Sequence, residues 1–212
     1  MILCPLCDSN KISLFQRDPF LRCDRCSLIF KDPVTRLTMT EEKTRYQTHQ
    51  NSRENEGYVN FLMPVVGEVK KHVPERARIL DYGCGPGPVL SELLQDEAYK
   101  VFRYDPFFYP HGLENLPRKD AITCTEAAEH FFFPQKEFDK MFSLMKPEAP
   151  LILMTDIFKE DTDIADWYYT KDPTHVCFYS RKTLEWVAEK FKRTYVEVSH
   201  RLCVLKNVSG AE

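Results

Sequence analysis

Three of the chain's seven glycines fall within five residues, in the run Leu80-Asp81-Tyr82-Gly83-Cys84-Gly85-Pro86-Gly87-Pro88. Glycine admits positive φ and lets a ligand approach the backbone closely. Upstream, residues 77–80 read as a short apolar strand ending at Asp81. Downstream, Val89, Leu90, Leu93 and Leu94 share one side of a helix that begins near Pro88. A strand, a glycine turn and a helix in this order point to an open parallel sheet, whose ligands bind at the carboxyl ends of the strands. A second strand over residues 100–104 ends at Asp105, so two carboxylates close strands at the same edge. A dinucleotide fingerprint needs glycine at position 88, where proline stands, and a nucleoside-triphosphate loop needs a Lys-Ser/Thr pair that is missing.

The alternation continues on both sides of this unit. Tyr58, Phe61, Leu62, Val65, Val66, Val69 and Val73 follow helical spacing, with Pro64 marking a kink or a late start. Residues 121–125 read as a strand, 136–145 as a helix, and 151–157 as a continuous apolar strand of the buried parallel type. An amphipathic helix over 181–191 is followed by two closing strands, 194–199 and 202–205, expected to be antiparallel. The fold class is therefore α/β, a Rossmann-like doubly wound sheet with helices on both faces.

A different constraint acts on the first 26 residues. They hold four of the eight cysteines, as Cys4-x2-Cys7, then 15 residues, then Cys23-x2-Cys26. That is the spacing of a four-thiolate zinc ribbon, in which each tight knuckle aims two sulfurs at one ion. Two disulfides are the alternative, and they sit poorly with an amino terminus that has neither a basic region nor a long apolar stretch. Four thiolates leave no open coordination position, so the zinc at Cys4, Cys7, Cys23 and Cys26 is expected to be structural. A 30-residue piece buries too little apolar surface to fold alone, and metal binding would supply its folding free energy. Cys84, Cys124, Cys177 and Cys203 are isolated and read as small buried hydrophobes. The expected organisation is a ribbon over 1–32, a polar linker, exposed helix or lid over 33–56, and the main domain over 57–212.

Charge limits the partners. The formal net charge is −3; residues 1–32 and 33–76 each carry +1, and the remainder −5. No segment has the clustered Lys and Arg of a phosphate-backbone footprint. Apolar runs reach only four to five residues, against roughly 20 for a membrane span. A soluble, cytoplasmic protein without membrane attachment is expected.

The segment from Ile79 to Gly87 resembles motif I of the class I S-adenosylmethionine-dependent methyltransferases. Asp105, 18 residues beyond Gly87, matches that family's ribose-binding position. Thr123-Cys124-Thr125-Glu126-Ala127-Ala128-Glu129-His130 resembles its strand-four motif, and Leu144-Met145-Lys146-Pro147 the turn before strand five. The resemblance covers about residues 57–200 and implies a seven-stranded sheet whose last strand runs antiparallel. It places S-adenosylmethionine against Asp81, Gly83, Cys84, Gly85, Asp105, Pro106, Thr125 and Glu126. Two departures matter. Only 15 residues separate Asp105 from Ala121, so the third strand is expected to be short or absent and adenine to be held by Pro106, Phe107 or Phe108. Glu148-Ala149 replaces the glycine pair that usually follows Lys-Pro.

The same resemblance implies methyl transfer by in-line displacement, with a base where the nucleophile must lose a proton. His130, in the strand-four motif, and His175, in the aromatic run Trp167-Tyr168-Tyr169-Thr170-Lys171-Asp172-Pro173-Thr174-His175, are the candidates; a bracing role for either is the alternative. Tyr46, His49 and Tyr58 form a lid over the cofactor or part of a plain linker. The leading expectation is methyl transfer to a small molecule. Two alternatives are an RNA methyltransferase that reads its substrate through the ribbon, and a non-catalytic cofactor-binding protein that docks a partner.

Overall fold

The computed structural model describes residues 2–48, 51–111, 113 and 117–207. His49, one of the expected lid residues, lies outside the described residues.

The amino-terminal region forms three short strands, β1 (Ile12–Leu14), β2 (Phe20–Cys23) and β3 (Ile29–Lys31), paired as antiparallel neighbours. A 3-10 turn at Pro33–Thr35 leads to α1 (Met39–Gln47), which Thr38 and Glu41 start with a reciprocal capping box. The polar segment, read as a linker or an exposed helix, therefore contains a capped helix. Next comes α2 (Glu56–His72), capped by Asn55 and continuous through Pro64, so the proline neither delays nor ends it.

The main sheet then builds up as β4 (Arg78–Tyr82), α3 (Val89–Asp96), β5 (Lys100–Tyr104), β6 (Ala121–Thr125), α4 (Pro134–Ser143) and β7 (Leu151–Met154). After a long aromatic loop come β8 (Cys177–Phe178), α5 (Arg181–Lys190), β9 (Arg193–Ser199) and β10 (Leu202–Asn207). The strand order is β5-β4-β6-β7-β10-β9. The first four run parallel, and β10 is antiparallel to both of its neighbours. Among the described residues no strand lies outside β5, in keeping with the short stretch between Asp105 and Ala121. The expected strand over 151–157 stops at Met154, where the chain leaves the sheet to begin the aromatic loop.

Alternation along each strand decides which layer it feeds. Ile79, Ile152, Met154, Leu202 and Val204 face α2 and α3, packing with Leu62, Val65, Val69, Leu90 and Leu94. Leu80, Tyr82, Ile122, Cys124, Leu153 and Leu205 face the other way, onto Phe138 and Met141 of α4 and Leu184 and Val187 of α5. That second layer also contains Cys4, Leu6, Cys23, Leu28 and Phe30, so the amino-terminal strands share a core with the main sheet.

They share backbone as well. β3 pairs with β8, Ile29 opposite Phe178 and Phe30 opposite Cys177, making a four-stranded sheet β1-β2-β3-β8. Lys31 N–H donates to the Val176 carbonyl at 2.9 Å. The Gln16 amide donates to Thr162 O and accepts from Ile164 N–H, and Arg22 clasps Glu160 with both terminal nitrogens. The loop between β7 and β8 is thus held in place by the amino-terminal strands. Among the described residues no helix is long and apolar enough to cross a membrane.

Candidate functional site

The glycine turn sits at the carboxyl end of β4. Gly83 N–H and Cys84 N–H both donate to the Tyr104 carbonyl, at 2.7 and 3.1 Å, tying the turn to the end of β5. Gly83 (φ 79°) and Gly85 (φ 64°) lie in the left-handed region that disfavours side chains. A Cβ on Gly83 would stand 2.5 Å from the Cβ of Ala127, whereas one on Gly85 would enter open space. A Cβ on Gly87 would strike the Asn51 carbonyl, so the segment after α1 lies against the turn.

The two strand-closing carboxylates have different duties. Asp81 is buried and accepts from Ser91 Oγ at 2.6 Å and Thr123 Oγ1 at 3.1 Å, bracing α3 and β6 beneath the turn. Burial pushes its carboxyl up to about 6. Asp105 accepts from Gly85 N–H at 3.1 Å with one oxygen, and from Phe107 and Phe108 N–H at 2.9 and 3.1 Å with the other. A carboxylate has about four acceptor positions, so some capacity is left for a ligand hydroxyl. Of the residues expected around adenine, Pro106 is exposed and Phe107 and Phe108 are half-buried. Phe107 packs against Tyr46 with ring centroids 5.7 Å apart. Cys84 is half-buried within the turn, and burial pushes its thiol up.

Across the edge, β6 ends at Thr125, whose buried Oγ1 has no hydrogen-bond partner, and Glu126 follows with φ 47°. A left-handed non-glycine residue costs roughly 1–2 kcal/mol, and such residues cluster at functional sites. Glu126 Oε1 is likewise unpartnered, while Oε2 lies 3.4 Å from the Tyr169 hydroxyl. Burial and the charge of Glu129 push Glu126 up to about 9. Four features thus lie along one edge of the sheet: the open space at Gly85, the Asp105 carboxylate and the orphaned oxygens of Thr125 and Glu126. They fit a polar cofactor.

His130 and His175 stand side by side, ring centroids 4.7 Å apart. His130 Nδ1 pairs with the Thr174 carbonyl at 3.1 Å and His175 Nδ1 with the Tyr169 carbonyl at 2.7 Å. A carbonyl only accepts, so each Nδ1 carries the proton and Nε2 of the neutral ring is the acceptor. Burial pushes His175 down to about 4. The Tyr46 ring meets His130 edge-on, 5.1 Å between centroids, so α1 reaches over this side as well as over Phe107. Arg45 pairs with Asp172 at 3.1 Å and ties α1 to the aromatic loop.

The structure adds partners not singled out from the sequence. Glu129 is fully buried beside both histidines, and Thr155 Oγ1 donates to its Oε2 at 3.0 Å. The Tyr169 hydroxyl lies 3.1 Å from Thr155 Oγ1. The spacing Glu126-x-x-Glu129-His130 was a usable signal for Glu129, since it sets two carboxylates and an imidazole in one short turn. Nothing local marked Thr155, and Tyr169 stood out only as a member of the aromatic run that leads to His175.

The four amino-terminal cysteines also converge. Cys4 and Cys26 sulfurs are 3.5 Å apart, as are those of Cys7 and Cys23, and all four lie within 4.8 Å of one another. A disulfide needs about 2.05 Å, whereas sulfurs about 2.3 Å from a common tetrahedral ion stand close to these separations.

A family model described as a methyltransferase domain matches residues 47–198. Solved structures share the fold at low identity. A Burkholderia thailandensis 1,6-didemethyltoxoflavin-N1-methyltransferase, with bound 1,6-didemethyltoxoflavin and S-adenosylhomocysteine, has a TM-score of 0.57 at 12% identity, covering 92% of this chain and 98% of that one. An O-methyltransferase family protein from the same organism has a TM-score of 0.54 at 16% identity, covering 80% of this chain and 64% of that one. No curated protein matches the chain.

Proposed function

Because this chain belongs to the methyltransferase-domain family, we propose that it transfers a methyl group from S-adenosylmethionine to a small-molecule acceptor. When bound, S-adenosylmethionine supplies the methyl group as a sulfonium electrophile. The observation that carries the reading is the glycine turn with the Asp105 carboxylate fastened to Gly85 N–H at its rim. Asp105 accepts the ribose hydroxyls; Gly83 and Gly85 leave the backbone open to the cofactor's amino-acid portion. Thr125 and Glu126 contribute the orphaned oxygens, and Phe107 and Phe108 the apolar wall for adenine. Asp81 acts from beneath, holding the turn through Ser91 and Thr123. The S-adenosylhomocysteine bound in the Burkholderia neighbour supports S-adenosylmethionine as the methyl donor.

The acceptor side is the one bordered by His130, His175 and the aromatic loop. Burial favours the neutral form of His175, which leaves its Nε2 lone pair available on that side. A near-neutral amino-terminal region supports a small acceptor over a polyanion. The four cysteines hold a structural Zn2+, and through β3 and β8 this cluster braces the loop that presents His175. All eight cysteines are unpaired by disulfides, a state that a reducing compartment such as the cytoplasm preserves.

Calorimetry with S-adenosylmethionine and S-adenosylhomocysteine tests the reading. Wild type binds both, and Asp105→Ala weakens binding roughly 10- to 100-fold, as expected for lost hydrogen bonds to a charged group. Absence of binding by folded, zinc-loaded wild type overturns it. Once an acceptor is found, His130→Ala and His175→Ala each lower transfer while leaving cofactor affinity in place.

A further inference from the structure

We propose that Glu129, His130 and His175 form a second metal site, specific for a divalent first-row transition cation and separate from the four-cysteine cluster. One ligand atom from each of the three residues lies within 4.8 Å of the other two, so small side-chain rotations bring all three to the roughly 2.0–2.2 Å that a shared ion requires. The two imidazoles are oriented as metal ligands are. Each gives Nδ1 to a backbone carbonyl, of Thr174 or of Tyr169, which fixes the ring and leaves Nε2 as the coordinating nitrogen.

A second observation is independent of the histidine geometry. Glu129 is completely buried, and its Oε2 is satisfied by Thr155. Its Oε1 has no hydrogen-bond partner and lies 3.9 Å from His130 Nε2, beyond hydrogen-bond reach. A buried oxygen left in this state costs stability, and a cation between Oε1 and the two Nε2 atoms removes that cost. Thr155 supports the ligating carboxylate from behind, and Tyr169 in turn touches Thr155 and Glu126.

Two nitrogens and one carboxylate make a borderline donor set, suited to Zn2+, Mn2+, Fe2+ or Co2+ rather than to Ca2+. Three protein ligands leave at least one position open, unlike the four thiolates. The open position faces the acceptor side, a statement that rests on the methyltransferase reading. There the ion lowers the proton affinity of an acceptor hydroxyl. In the transfer, the hydroxyl proton goes to water and oxygen bonds to the methyl carbon. The carbon–sulfur bond breaks with its electron pair left on sulfur.

The test uses the full chain with one equivalent of Zn2+ already on its cysteines. Mn2+ is titrated in and followed by the loss of the free-ion electron-paramagnetic signal. Co2+ is then used to read the ligand type. Wild type is expected to bind one further ion, with Co2+ showing d–d bands and no sulfur charge-transfer band. Glu129→Gln and His175→Gln weaken that binding roughly tenfold or more. Circular dichroism of each variant separates a lost ligand from a lost fold, and the Co2+ spectrum of wild type decides the donor set without any variant. No second ion in wild type, a sulfur-ligated second ion, or folded variants that bind as wild type does would each overturn the proposal. S-adenosylhomocysteine calorimetry on the same samples reports separately on the methyltransferase reading, so that either can fail without the other.

Discussion

The two halves of the sheet's carboxyl edge are built by opposite means. The glycine-turn half, at β4 and β5, is made by backbone N–H groups: those of Gly83 and Cys84 bond to the Tyr104 carbonyl and that of Gly85 to the Asp105 carboxylate, all within about 20 residues of sequence. The histidine half, at β6 and β7, is side-chain made. It joins Glu129 and His130 to His175, 45 residues away, and depends on a loop that the amino-terminal strands hold through β8. The first half needs its own turn and the nearby supports from Thr123, Ala127 and Asn51. The second needs the whole chain folded, so it is expected to be the more fragile and the more easily altered by changes at a distance.

Removing the cysteine cluster breaks the comparison most severely. Structural zinc in such sites carries about 10–16 kcal/mol of apparent binding free energy that doubles as folding free energy. The double variant Cys7→Ser, Cys23→Ser should unfold the amino-terminal strands, and hydrogen exchange at Val176, Cys177 and Phe178 should accelerate with them. Amides of the glycine turn should stay protected. Unchanged protection at 176–178 would show that the histidine half stands without its brace.

Gly83→Ala does the reverse. The left-handed backbone costs roughly 1–2 kcal/mol and the overlap with Ala127 roughly 1–3 more. The melting temperature and S-adenosylhomocysteine affinity should both fall. A mild loss in both would mean that Ala127 yields readily, and that the two halves are less separate than their geometry suggests.

Asp81 gives the glycine half a pH signature. Burial raises its carboxyl from an ordinary value of 3.8 to about 6 in the folded chain. Between those values the folded state holds a proton that the unfolded chain has lost. The contribution to stability is therefore present below about pH 4 and declines as pH rises through 6, by at most about 3 kcal/mol. Asp81→Asn should flatten that part of the wild-type dependence of denaturation midpoint on pH. An unchanged slope would assign the titration elsewhere.

The smallest effect sharpens the histidine half alone. Thr155→Val keeps the side-chain shape and removes the donor to Glu129 Oε2, at a cost of roughly 1–3 kcal/mol. Denaturant unfolding should record that loss, with S-adenosylhomocysteine affinity unaltered. A drop in cofactor affinity would show that the two halves are coupled through β6.

Legibility follows the same division. The strand over 100–104 and the strand over 121–125 were readable to the residue, because apolar runs bounded by Asp105 and by the 126–130 turn have little freedom in extent. The paired closing strands were readable as well. The helix over 58–73 was readable from its spacing, but not whether Pro64 would delay its start: a proline costs one hydrogen bond locally, and the burial of Leu62, Val65, Val66 and Val69 on the sheet outweighs it. α1 was readable only as one of two alternatives, an exposed helix or a linker, because its face is polar and its start depends on a capping box.

Spacing along the chain by itself determined the four-cysteine cluster, the glycine turn and the order of strands and helices, because each is fixed by residues a few positions apart. It also set Glu129 beside His130. Only the tertiary structure decided that β3 would pair with β8, that Asp81 would turn inward to Ser91 and Thr123 while Asp105 held the rim, and that His175 would come to rest against His130 and the orphaned oxygen of Glu129. Such contacts join segments far apart in the chain, and their energy is realised only when the shared core between the amino-terminal strands and the main sheet has closed.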